Sequence, residues 1–127
     1  MGTGSEKPIV LAVDDSPSIL SAVSAVLGGE YKVYTLPRPT ELINVLLKLT
    51  PDLFLLDYKM PELSGFDLVH MIRGFDDHKD TPIIFLTSEG TLDNVTTAMA
   101  LGACDFVVKP FNPDVLRERV AKYISKK

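Results

Sequence analysis

Leu53-Phe54-Leu55-Leu56-Asp57-Tyr58-Lys59-Met60-Pro61 sets the frame for the whole chain. Four apolar residues in a row, with no polar alternation, read as a strand buried on both faces, the pattern of a parallel sheet covered by helices. A carboxylate closes the run. Asp57 sits where the chain leaves the sheet, and open α/β sheets bind ligands in the crevice beyond the carboxyl ends of their strands. Taken alone, an Asp there also suits a helix cap or a turn. The other strands decide between the two.

Working outward, Ile9-Val10-Leu11-Ala12-Val13 is a second all-apolar run, and it ends in the acidic pair Asp14-Asp15. Ser16-Pro17 then supplies an N-cap and a first helical residue, with Leu20, Val23 and Leu27 on one face before Gly28-Gly29. Lys32-Val33-Tyr34-Thr35 is shorter and more polar, as an edge strand would be. Pro39 opens a helix carrying Leu42, Ile43, Leu46, Leu47 and Leu49, and Thr50-Pro51 breaks it. Beyond the central strand, Ser64-Gly65 leads into a helix with Phe66, Val69 and Ile72 inward, closed near Gly74. The polar loop 76–80 follows; His78 reads as a residue of that loop and His70 as one of the helix surface.

Pro82-Ile83-Ile84-Phe85-Leu86 is again continuously apolar and ends in Thr87-Ser88-Glu89. The helix expected over 92–101 is weakly specified, with Val95, Ala98 and Met99 as its apolar face. Gly102 ends it, residues 104–108 form a fifth strand, and Lys109-Pro110 stands at that strand's carboxyl end. Asn112-Pro113 caps the last helix, with Val115, Val120 and Ile124 inward and Arg117, Glu118 and Lys122 toward solvent. Five strand-helix units of roughly 20 to 25 residues imply a right-handed, doubly wound α/β parallel sheet.

The 127 residues suit one domain with a single core, carrying a net charge of -4. No basic field draws nucleic acid or an anionic membrane, so direct nucleic-acid binding is not expected. The single cysteine, Cys104, cannot form an internal disulfide and is read as a packing residue. No apolar run approaches a membrane span and no signal peptide is recognisable, so the expected location is the cytoplasm. Residues 1–6 are expected to be a loose tail or cloning scar, and 7–127 the folded domain.

Read together, the strand ends carry Asp14-Asp15, Asp57, Thr87 and Lys109, all on one edge of the sheet. At this point the chain resembles a response-regulator receiver domain of the chemotaxis type, over residues 7–126. The matching motifs are Val13-Asp14-Asp15-Ser16, Leu56-Asp57-Tyr58-Lys59-Met60-Pro61 with Ser64-Gly65, Leu86-Thr87-Ser88-Glu89, and Gly102-Ala103 through Phe106-Val107-Val108-Lys109-Pro110-Phe111. The resemblance implies a flavodoxin-like (βα)5 sandwich with strand order 2-1-3-4-5, for which the switch-point rule uses a member of this family as its example. It also implies a cis bond between Lys109 and Pro110.

The chemistry follows in part from residue type. Clustered carboxylates repel and raise one another's pKa, and a hard divalent cation relieves them. By resemblance, Asp15 and Asp57 ligate Mg²⁺ (or Mn²⁺) directly, the Lys59 backbone carbonyl is a third ligand, and Asp14 acts mostly through water. Asp57 is then the phosphoacceptor, forming an aspartyl phosphate, and Lys109 supplies positive charge opposite the metal. The resemblance further implies that Thr87 donates to the phosphoryl group and that Phe106 turns in response, altering the surface formed by the fourth predicted helix, the fifth strand and the last helix. Lys59 and Glu89 occupy places that in the family influence hydrolysis of the acyl phosphate; exposed pairing of little energetic value is the alternative.

The resemblance implies a module, not a turnover enzyme, that takes phosphate from the phosphohistidine of a histidine kinase or phosphotransfer domain and switches an output partner. It is expected as a monomer or a phosphorylation-dependent dimer. The alternative is a magnesium-dependent phosphatase or phosphotransferase with an aspartyl nucleophile. That class normally needs a second Asp two positions after the nucleophile, where this chain has Lys59.

Overall fold

Strands that are apolar at every position require helices over both of their faces, and the chain supplies them. The computed structural model describes residues 7–58, 63, 65–88, 96, 99, 100 and 102–124, without the side chain of Phe66. Five parallel strands, β1 (Ile9–Val13), β2 (Lys32–Leu36), β3 (Leu53–Asp57), β4 (Ile83–Thr87) and β5 (Asp105–Val108), lie in the order β2-β1-β3-β4-β5. The helices α1 (Pro17–Leu27), α2 (Leu42–Leu46), α3 (Gly65–Arg73) and the C-terminal α4 (Pro113–Tyr123) pack around them. This is the doubly wound order expected from the resemblance.

Period-2 alternation divides the apolar runs between two core layers. Leu11 and Val13 of β1, Phe54 and Leu56 of β3, and Ile83 and Phe85 of β4 meet Leu42, Leu46, Leu68, Val69 and Ile72 on one side. Val10, Ala12, Leu53, Leu55, Ile84 and Leu86 meet Leu20, Val23, Leu27, Leu116 and Val120 on the other. Each fully buried Leu, Ile or Phe contributes about 1.5–3 kcal/mol of transfer free energy. The two layers hold the strand ends in fixed positions, and Asp14, Asp15, Asp57, Thr87 and Lys109 stand at or just beyond those ends.

One helix buries only part of its apolar run, and another buries a residue other than the one predicted. The Leu-rich segment after Pro39 forms a 3-10 turn at Pro39–Glu41 and then a helix of only five residues. So short a helix gives the core one i, i+4 pair, Leu42 and Leu46, and leaves Ile43 (45%) and Leu47 (71%) exposed. In α4 the inward pair is Leu116 and Val120, with Ile124 beyond the helix end, whereas Val115 is 39% exposed. The Asn112 side chain accepts from the N–H groups of Asp114 and Val115 and so fixes where the helix begins, which places position 116 rather than 115 toward the sheet.

His78 lies in the 76–80 loop, as expected, and is a core contact as well. It is buried at the end of a 3-10 turn, Asp76–His78, with its ring edge-on to Phe54 at 5.1 Å and its Nδ1 2.8 Å from Thr81 Oγ1. His70 is exposed, as expected. Nearby, the Arg73 guanidinium donates to the carbonyls of His78 (2.8 Å), Thr81 (2.7 Å) and Gly102 (2.9 Å). One side chain thus joins the end of α3 to the entry of β4 and the approach to β5. Gly102 adopts a positive φ of 107°, which glycine tolerates without a steric cost. Of the helix expected over 92–101, only 96, 99 and 100 are described, and they are helical and exposed. The expected inward residues Phe66, Val95 and Ala98 lie outside the described side chains.

Candidate functional site at the carboxyl edge of the sheet

Because all five strands run the same way, the residues that end β1, β3, β4 and β5 converge on one rim. Asp14 follows β1 and is wholly buried; its N–H donates to the Leu36 carbonyl at 3.2 Å. Its Oδ1 accepts from the Ser16 N–H at 2.9 Å, an Asx-type turn that takes up a helix-terminal donor and orients the carboxylate. Ser16 itself has the extended backbone of an N-cap but makes no side-chain cap bond. Asp57 is the last residue of β3 and is buried. Asp15 lies on the exposed side of the cluster.

Asp14, Asp15 and Asp57 each offer a carboxylate oxygen within 4.8 Å of the others. Lys109 reaches into this group from beyond β5, its Nζ donating to Asp14 Oδ2 at 3.0 Å and to Asp57 Oδ1 at 3.2 Å. The Lys109 backbone N–H is held by the Thr87 carbonyl at 2.7 Å, and the Lys109–Pro110 peptide bond is cis. Burial disfavours the Lys109 ammonium, but the hydrogen bond and charge of Asp14, joined by those of Asp57, outweigh it and raise its pKa. Three carboxylates against one ammonium leave the cluster net negative, with an all-oxygen donor set suited to a hard divalent cation.

Thr87 ends β4 and is buried beside this cluster's strand; its register partner on β5 is Val108, and Asp57 pairs with Leu86. Phe106 is half-buried against the core layer that contains Phe85, its partner across the β4–β5 ladder. The structure therefore brings Asp14, Asp15, Asp57, Thr87 and Lys109 to one edge. Phe106 stands below that edge. Lys59 and Glu89 lie outside the described residues.

Several contributors were not singled out from the sequence. The main chain of Phe106 is held on its outer side: the Asp105 Oδ1 accepts from its N–H at 2.9 Å, and Arg119 donates to its carbonyl at 2.9 Å. Arg119 also donates to Asp105 Oδ1 at 3.0 Å, while the Tyr123 hydroxyl donates to the Cys104 carbonyl at 3.1 Å and contacts Asp105 Oδ2 at 3.0 Å. The signal available was the i, i+4 spacing of Arg119 and Tyr123, which places both on one helical stripe. Tyr58 follows the acceptor candidate; its N–H donates to the Leu86 carbonyl and its own carbonyl accepts from the Gly65 N–H, each at 3.0 Å.

Comparison with known proteins bears on the same residues. The family model described as "Response regulator receiver domain" matches residues 10–121. Regulatory protein LuxO of Vibrio vulnificus is 34% identical over 112 residues, which is 81% of this chain and 24% of that protein. Sensor histidine kinase TmoS of Ectopseudomonas mendocina is 31% identical over 123 residues, 97% of this chain and 13% of that protein. The chain thus spans about a quarter or less of these curated relatives. Among solved structures, the chemotaxis protein CheY4 of Vibrio cholerae superposes with a TM-score of 0.88 at 35% identity, covering 93% of this chain and 99% of that one.

Proposed function

Because the chain belongs to the response-regulator receiver family, the phosphoryl-accepting domains of two-component signalling, we propose that its acceptor is Asp57. The observation that carries this reading is the bridge from Lys109 Nζ to both Asp14 and Asp57, which sets an ammonium against the carboxylate that must meet phosphorus. Receiver domains are signalling domains, and the chemistry required of this one is a single transfer. A carboxylate oxygen of Asp57 forms the new P–O bond as the P–N bond of a donor phosphohistidine breaks, with the electron pair leaving on the imidazole nitrogen. A carboxylate nucleophile carries no proton to be removed, so no general base is needed.

The carboxylates of Asp14, Asp15 and Asp57 form a donor set that fits Mg²⁺ or Mn²⁺; Asp15 and Asp57 would hold the ion, with Asp14 acting through water, and the family resemblance would add the Lys59 carbonyl. When bound, the ion neutralises charge on the phosphoryl oxygens. Lys109 does the same from the opposite side, and the buried Asp14 holds the lysine in place. Thr87 then donates to a phosphoryl oxygen, and Phe106 alters its packing so that the face around β5 and α4 binds an output partner differently. The donor is a histidine kinase or phosphotransfer domain, and the setting is the cytoplasm. Among the described residues no helix is long and apolar enough to cross a membrane.

The test is incubation with acetyl phosphate with and without Mg²⁺. An acid-stable, hydroxylamine-labile adduct should form on Asp57 with Mg²⁺ and be absent in Asp57→Asn. Equal labelling of that variant would remove Asp57 as the acceptor, and turnover of phosphoester without an adduct would replace this reading with the enzyme alternative.

A further inference from the structure

An aromatic row runs beneath the site from the acceptor strand to the edge of the sheet. Tyr58, adjacent to Asp57, sets its ring edge-on to Phe85 with centroids 5.5 Å apart and planes at 89°. Phe85 is buried in β4, on the same face of the strand as Thr87 two residues on, and faces Phe106 across the ladder. On its remaining side the ring fills the space beside Gly65, where an added Cβ would collide with it. Tyr58 is pinned by its backbone to both β4 and the start of α3.

Phe85 consequently touches the turn after the acceptor, the first residue of α3, and the layer into which Phe106 packs. A close-packed interior has no slack to absorb a shift of one such ring, so displacement passes to its neighbours. We propose that Phe85 is a positioning residue of the switch, coupling the Asp57–Tyr58 turn to Phe106 through its edge-on contact with Tyr58 and its place opposite Phe106 across the β4–β5 ladder. This inference rests on the reading of Asp57 as the acceptor. It adds a route through the core to the one at the rim that begins with Thr87.

The experiment follows the methyl NMR signals of Met99, Val108 and Val115, all exposed, as Mg²⁺ and beryllofluoride are added, with bound fluoride counted separately by ¹⁹F NMR. The parent protein should bind beryllofluoride and shift these methyls; if it fails to bind, the acceptor reading fails first and visibly. Phe85→Leu should bind beryllofluoride with a midpoint within about two-fold of the parent, while its methyl shifts shrink roughly two-fold or more. Phe85→Met, whose unbranched chain adapts to an irregular space, gives the same reading should the Leu variant be poorly folded. Phe54→Leu, from the same core layer, is the control and should keep the response. A full methyl response in both Phe85 variants overturns the proposal, as does an equal loss in Phe54→Leu.

Discussion

Lys109 and Asp14 are joined by a 3.0 Å hydrogen bond, shorter than the 3.2 Å bond from the same ammonium to Asp57. Asp14 is thus the firmer anchor of the lysine, and its own second oxygen is occupied by the Ser16 N–H. The lysine is thus held at the site by a second carboxylate besides Asp57.

Lys109→Met keeps the apolar stem and removes the charge. Loss of one preorganised electrostatic partner should slow adduct formation from acetyl phosphate by roughly 10²-fold. The rate is followed by hydroxylamine-labile label, and a change below a few-fold would remove Lys109 from the reaction.

Mg²⁺ should stabilise the folded protein, since the clustered carboxylates bind it only when folding brings them together. At 100 times the dissociation constant the gain is about 2.7 kcal/mol. It is read as a rise in the urea midpoint, and Asp15→Asn should remove most of it. Identical midpoints with and without the ion would contradict the metal assignment.

Arg73→Ala deletes three charge-assisted hydrogen bonds to the carbonyls of His78, Thr81 and Gly102. The expected loss is about 2–4 kcal/mol in equilibrium unfolding. Arg73→Lys should recover only part of it, because an ammonium lacks the planar fork that serves three acceptors. Adduct formation on Asp57 should survive in the folded fraction, since Arg73 sits at the opposite end of β4.

His78 makes stability depend on pH. Burial lowers its pKa below the usual 6.5; Asp77 opposes this, Arg73 adds to it, and Asp52 again opposes it. Between the folded and unfolded pKa values the unfolded chain binds more protons. Stability is therefore full above about pH 6.5 and declines as the pH falls from there toward the folded value. Urea midpoints at pH 7.5 and 5.5 should differ less in His78→Gln than in the parent.

Strands were the most legible part of the sequence, because burial on both faces leaves an unbroken apolar run that loops and surface helices do not imitate. The rim residues were legible by residue type at strand ends, although the Lys109–Asp14 contact spans 95 positions and nothing local announces it. Helix faces were harder. Five leucines or isoleucines between 42 and 49 exceed what a helix of five residues can bury, so Ile43 and Leu47 face out. In α4 adjacent apolar residues, Val115 and Leu116, compete for one inward place, and the Asn112 cap decides it. Arg73 and His78 sit beside polar loop residues, and nothing local in the sequence singles them out. Their roles come from carbonyls and rings that only the tertiary fold brings near.

The cover over β5 has its own consequence. A margin strand with free main-chain donors and acceptors invites another chain to extend the sheet, which is how fibrils grow and how strand-adding receptors capture ligands. Asp105, Arg119 and Tyr123 occupy those groups from Cys104 to Phe106. A protein that docks here must therefore recognise side chains, and the domain can accumulate to high concentration without polymerising through this border.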